Sequence, residues 1–198
     1  IMGTTYGMAV SQWSMNEYTG GTLTSLQGYV DDYGWGWHWL NNNNRDDFEI
    51  ITLNNIPLKS DDHGDQTSDA TILTGDHRVI TGLIGPNSDI DFFKFTVSST
   101  QLISISATPI EKSPNLDILM KVYNSSGQLL TSYNPDVSRG SNGYPLGMDA
   151  SFSRREFTAG TYYVSIEGTG YGNPSSTGYS SYASVGKYTF DYTLHLAA

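Results

Sequence analysis

The chain contains no cysteine, so disulfides and thiolate metal centres are excluded. No stretch reaches the roughly 18 consecutive apolar residues of a membrane-spanning helix, and no signal-peptide pattern is visible. Basic residues are scarce: ten Lys and Arg stand against twenty Asp and Glu, a formal net charge of −10. That balance repels a phosphate backbone or an anionic membrane surface and attracts divalent cations, so nucleic acid is not an expected partner. The motifs of common hydrolytic chemistry are missing too. A zinc peptidase needs two His one helical turn apart with a Glu beside the first. The four His here (His38, His63, His77, His195) include no such pair. No serine sits in a G-x-S-x-G elbow, and Gly140–Gly147 lacks the Lys-Ser/Thr of a phosphate loop. This chain alone is not expected to be an enzyme or to hold zinc.

What is present is β grammar. Of 198 residues, 37% are hydrophobic and 13% aromatic, with 14 Tyr and 21 Gly; that is enough for a core, interrupted by many turn residues. Apolar residues recur every second position at Phe93/Phe95/Val97, Ile103/Ile105/Ala107, Ile118/Met120/Val122 and Tyr162/Val164/Ile166. The longest such row is Tyr188/Phe190/Tyr192/Leu194/Leu196. Weaker strands are expected at about 78–84, 128–133 and 149–157. At about 25 cal/mol per Å² of buried apolar surface, these rows require a second layer to cover them. The expected fold is therefore all-β: an antiparallel sandwich, jelly-roll or Ig-like, of about eight strands, with a short mixed N-terminal segment.

Residues 1–58 and 59–198 differ in style and are expected to be separate units. The first holds all four Trp and little alternation, although Tyr33–Leu40 alternates aromatics in the manner of a strand or an aromatic patch. The acids Asp46, Asp47 and Glu49 favour a helix start. A short helix over roughly 46–54 is expected, closed by Pro57. The chain opens Ile1-Met2-Gly3 and is expected to be a fragment or processed product. Asn124-Ser125-Ser126 is formally a glycosylation sequon and more simply a turn.

An ordered series of motifs spans most of residues 60–196: Asp61-Asp62-His63-Gly64-Asp65 and Asp69-Ala70-Thr71; Ile80–Ile84; Asn87–Phe95; Pro114-Asn115-Leu116-Asp117; Ala159–Gly168; and Gly186–Phe190. This series resembles the bacterial pre-peptidase C-terminal domain, the family that includes the collagen-binding domains of clostridial collagenases. The first segment resembles the tail of a metzincin-type zinc metallopeptidase. Ile1-Met2-Gly3 is similar to the methionine turn, Gln12-Trp13-Ser14 with Glu17-Tyr18 to the stretch C-terminal to that turn, and Asp46–Ile51 to the closing helix. Residues 22–44 depart from that pattern as an apparent insertion.

Calcium takes six to eight oxygens from carboxylates, amides and carbonyls on loops. Asp61, Asp62 and Asp65 lie at the entrance of the second unit, and Asn87, Asp89 and Asp91 lie in the turn before a core strand. The resemblance implies that entrance and turn acids hold calcium jointly, with Asp62, Asp65 and Asp91 foremost. Solvated acids and Asx-turns are the alternative. Tyr171, Tyr179 and Tyr182 of the long loop Gly168–Gly186 are candidate binding residues, or else fold back over the sandwich edge. Trp35, Trp37 and Trp39 are candidates for stacking on a sugar or burial in a partner, against internal packing. By resemblance the chain is expected to be a secreted, bacterial-type accessory domain of a metallopeptidase-like protein, contacting an extracellular protein or polysaccharide. The alternative is a filament subunit whose first segment docks on a neighbouring copy of itself.

Overall fold

The computed structural model describes residues 29–30, 37–38, 47–53, 55–86, 89–111, 115–139, 145–173 and 178–195. Nine strands form the sandwich: β1 (Thr71–Ile72), β2 (His77–Ile84), β3 (Ile90–Val97), β4 (Gln101–Pro109), β5 (Ile118–Asn124), β6 (Leu129–Tyr133), β7 (Ala150–Phe157), β8 (Gly160–Gly168) and β9 (Gly186–His195). One sheet has the order β7-β4-β9-β2 and the other β1-β3-β8-β5-β6. All pairings are antiparallel except β1 with β3. The all-β sandwich expected from the alternation is thus observed, with nine strands where about eight were expected.

The core lies where period two places it. Phe93, Phe95 and Val97 point inward from β3, and Tyr188, Phe190 and Tyr192 point inward from β9. Phe93 stacks on Phe190 across the two sheets at 4.2 Å, and Phe95 meets Phe157 edge-on at 5.2 Å. Each such side chain contributes about 1.5–3 kcal/mol by leaving water. In register, Val164 lies between Phe93 and Val122, and Ile166 between Asp91 and Met120. A carboxylate therefore occupies a position in an otherwise apolar row. That substitution marks the site.

Helix α1 runs Asp47–Leu53. Asn55 terminates it rather than Pro57: Asn55 adopts φ 59°, its N–H donates to Thr52 O (3.0 Å), and Ile56 N–H reaches back to Ile51 O (3.3 Å). This is a left-handed cap that satisfies the last carbonyls. Tyr29–Val30 and Trp37–His38 pair as a two-residue ribbon, so part of the aromatic run is a strand. Trp35, Trp39 and the side chain of Trp37 lie outside the described residues, as do Asn87 and Leu196. Asn124 makes a turn: its Oδ1 accepts from the N–H groups of Ser126 (3.1 Å) and Gln128 (2.9 Å).

Candidate metal centre

The segment 59–70 runs alongside the start of β3 and takes the place of a neighbouring strand. Phe92 N–H donates to Gly64 O at 2.9 Å, and Ile90 N–H donates to Asp65 Oδ1 at 3.0 Å. Glycine is required at position 64, since a Cβ there would sit 2.5 Å from the Asp69 carboxyl carbon. This path carries the entrance acids onto the acids of the β2–β3 turn. Asp61, Asp65 and Asp89 form one group, and Asp62, His63 and Asp91 another. Within each group the potential ligand atoms lie within 4.8 Å of one another, close to twice a calcium–oxygen distance of about 2.4 Å.

Each carboxylate is held by one oxygen. Asp61 Oδ1 accepts from His63 N–H (3.0 Å), Asp62 Oδ1 from Leu83 N–H (3.2 Å) and Asp89 Oδ2 from Gly85 N–H (2.5 Å). Asp91 Oδ2 accepts from the Tyr188 hydroxyl at 2.5 Å. That hydroxyl reaches Asp91 because position 82 is glycine: a Cβ there would fall 2.3 Å from the Tyr188 ring. The second oxygens of Asp89 and Asp91 are buried without a partner, and Asp91 is 0% exposed. A buried carboxylate oxygen with nothing to accept from is costly. Burial, followed by the neighbouring Asp89, Asp62 and Asp61, pushes the Asp91 carboxyl up to about 8 against the stabilising Tyr188 hydrogen bond. Burial also raises Asp89, opposed by the Gly85 N–H. Tyr188 is raised in turn by its own burial and by Asp91.

His63 belongs to the frame rather than the ligand set. Its Nε2 lies 3.3 Å from Thr81 O, which only accepts, so Nε2 carries the proton; Nδ1 then accepts from Thr71 Oγ1 at 2.8 Å. The ring packs on Phe93 at 4.9 Å. The remaining donors are all oxygens, which suits a hard cation such as calcium and not zinc.

The candidate tyrosines divide. Tyr179 is 2% exposed, and its hydroxyl donates to Asp117 Oδ2 at 2.8 Å. It is therefore not a surface residue, because a buried phenol needs an acceptor and Asp117 supplies one. Tyr182 packs against Phe48 of α1 at 5.2 Å, and its hydroxyl accepts the Phe48 N–H at 3.2 Å. Tyr171 remains exposed, bridged to Tyr179 through the backbone. Asp117 is itself a functional-looking group that the alternation did not single out: it is buried, one oxygen has no partner, and burial pushes its carboxyl up to about 6.

Two further features were not legible in the sequence pattern. The outward face of the five-stranded sheet presents Phe92, Tyr123 and Tyr163, all half-buried. The Phe92 and Tyr123 rings lie 5.9 Å apart, and Tyr163 is directly opposite Tyr123. The signal was an aromatic at the outward beat of three adjacent strands. On the other sheet, Ser104 Oγ lies 2.7 Å from His195 Nε2, a nucleophile–base distance. However, Arg154 Nη1 faces His195 Nδ1 at 3.4 Å. A guanidinium only donates, so Nδ1 accepts and Nε2 holds the proton. His195 so arranged cannot take the proton of Ser104.

Residues 89–168 match the family described as bacterial pre-peptidase C-terminal domain. This part of the chain is similar to that family. The pre-peptidase match begins at Asp89 and runs through β8, so it includes Asp91, Asp117 and the outward aromatics. Domains of this family are non-catalytic accessory domains. Among solved structures, the chain is similar to the pre-peptidase C-terminal domain of collagenase from Bacillus anthracis, with 18% identity, 67% of this chain and 100% of that chain covered, and a TM-score of 0.38. It is also similar to PliG of Aeromonas hydrophila, a periplasmic lysozyme inhibitor, with 8% identity, 64% and 96% covered and a TM-score of 0.33. A family 6 carbohydrate-binding module gives 10% identity, 63% and 85% covered and a TM-score of 0.32. A comparison with curated proteins finds no match. No helix among the described residues is long and apolar enough to cross a membrane.

Proposed function

We propose that this chain is a non-catalytic accessory domain of a secreted metallopeptidase-type protein, stabilised by calcium and contacting an extracellular protein or polysaccharide. The observation that carries the calcium part is Asp91. It is a fully buried carboxylate with an unpartnered oxygen, gathered with Asp61, Asp62, Asp65 and Asp89, each already oriented by a hydrogen bond. Calcium supplies the positive charge and the missing partner that such a cluster lacks. A thermal melt in EGTA and in millimolar calcium tests this. Wild type is expected to gain several degrees with calcium and Asp91→Ala none; an unchanged wild-type melt rejects the calcium reading.

The contact surface is the outward aromatic face. Rigid aromatic rings on adjacent strands present amphipathic area at low entropic cost. Lys94 stands 5.9 Å over the Tyr163 ring, and Lys121 pairs with Glu167 beside it. Pull-down on insoluble collagen and on insoluble polysaccharides is expected to retain wild type and to lose the Phe92→Ala/Tyr163→Ala variant. Equal retention of the two proteins removes this face from the proposal.

A further inference from the structure

The sequence contains five lysines. Among the four described, Lys94 lies over an aromatic ring and Lys121 is paired with Glu167. Lys59 and Lys187 make no ion pair among the described residues, and both line the same cavity of about 300 Å³. In a chain with twice as many acids as bases, two lysines without an ion pair lining one cavity require an account. The cavity forms where the segment entering the sandwich crosses the outward end of β2 and β9. Leu83 sits opposite Lys187 and Thr81 opposite Thr189 in the β2–β9 register, and Ile110 N–H donates to Lys187 O at 3.1 Å. Asp62 is the one acid on the wall, and its Oδ1 is tied to Leu83 N–H. The wall therefore carries two lysines and one acid, one oxygen of which already accepts a hydrogen bond.

The rest of the lining chooses the ligand. Leu83 and Ile110 offer an aliphatic wall, while Thr81 and Thr189 offer hydroxyls that both donate and accept. Tyr188 also borders the cavity, but its ring is 0% exposed, so a sugar has no ring face to stack on. We propose that this cavity binds a carboxylate carried by a polypeptide, at a chain end or on an acidic side chain. The carboxylate sits between Lys59 and Lys187, and its aliphatic stem lies on Leu83 and Ile110. Lysine suits this role as a compact charge with three donors on a flexible stem. The inference goes beyond the accessory-domain reading and needs neither bound calcium nor the aromatic face.

The test titrates three peptides into the ¹⁵N-labelled full chain at low salt, in EGTA and again in calcium. They are acetyl-Gly-Leu-Leu as the free acid, the same peptide as its C-terminal amide, and acetyl-Glu-Leu-Leu amide. One or both acidic peptides are expected to shift the amides of Leu83, Ile110 and Lys187, while the peptide lacking a carboxylate leaves them in place. Shifts by the free acid assign the chain end, and shifts by the Glu peptide assign the side chain. Lys59→Gln/Lys187→Gln, at two exposed positions, is expected to weaken binding about tenfold or more. The proposal is overturned if the neutral amide binds as well as the acids or if the double variant binds like wild type. It is also overturned if trigalacturonate shifts these amides when neither acidic peptide does, or if nothing binds up to about 10 mM.

Discussion

In the proposed calcium site Asp91 would couple metal binding, protons and stability, and the coupling has a definite sign. Its carboxyl stands at about 8 in the fold and near 3.8 in the unfolded chain. Between those values the native state without calcium holds a proton that the unfolded state has released. Stability in EGTA is therefore fully present below about pH 4 and is lost as pH rises toward 8, at about 1.4 kcal/mol per unit for this one group. From pH 5 to pH 7.5 the loss attributable to Asp91 is about 3 kcal/mol. In the proposed site calcium would displace the proton, so binding at pH 7 is expected to release about 0.9 proton at this residue, falling to about 0.1 at pH 9. Two assays read this: urea midpoints in EGTA across that pH range, and calorimetric calcium titrations in buffers of different ionisation enthalpy. Asp91→Asn retains an acceptor for Tyr188 and removes the titration, so its stability is expected to fall less steeply with pH. If wild type and Asp91→Asn show parallel pH profiles, or if proton release at pH 7 and pH 9 is equal, the argument from burial is refuted.

The buried Asp117, raised to about 6, destabilises the fold by up to about 3 kcal/mol once pH exceeds that value. Asp117→Asn is expected to raise the urea midpoint at pH 7.5 and leave it near wild type at pH 4. Gly82→Ala places a methyl group against the Tyr188 ring and is expected to cost about 2 kcal/mol; it should also weaken calcium binding severalfold, both read from melts with and without calcium. Phe93→Ala removes the ring stacked on Phe190 and is expected to cost about 3–5 kcal/mol in chemical denaturation.

Much of this molecule follows from local pattern. Alternation at Phe93/Phe95/Val97 and Tyr188/Phe190/Tyr192 required two facing sheets, because a period of two commits every second side chain to one face. The acids at 61–65 and 89–91 were also legible as a candidate cation site, since calcium loops are written in closely spaced oxygens. Other features depended on partners far apart in the chain. Tyr188 and Asp91 are 97 residues apart and meet only because β9 faces β3 and Gly82 leaves space for the phenol. For Tyr179 the sequence left a binding surface and a fold back over the sandwich edge both open; the loop folds back and gives its hydroxyl the buried Asp117. His63 sits among acids in sequence, yet contacts to Thr71 and Thr81 engage both its nitrogens. Local sequence determined which residues lie inward and which loops carry charge, because those depend on backbone period and residue type. Tertiary structure alone decided which carboxylate lost its water and which lysines shared a cavity, because desolvation and charge proximity are set by neighbours brought from distant strands.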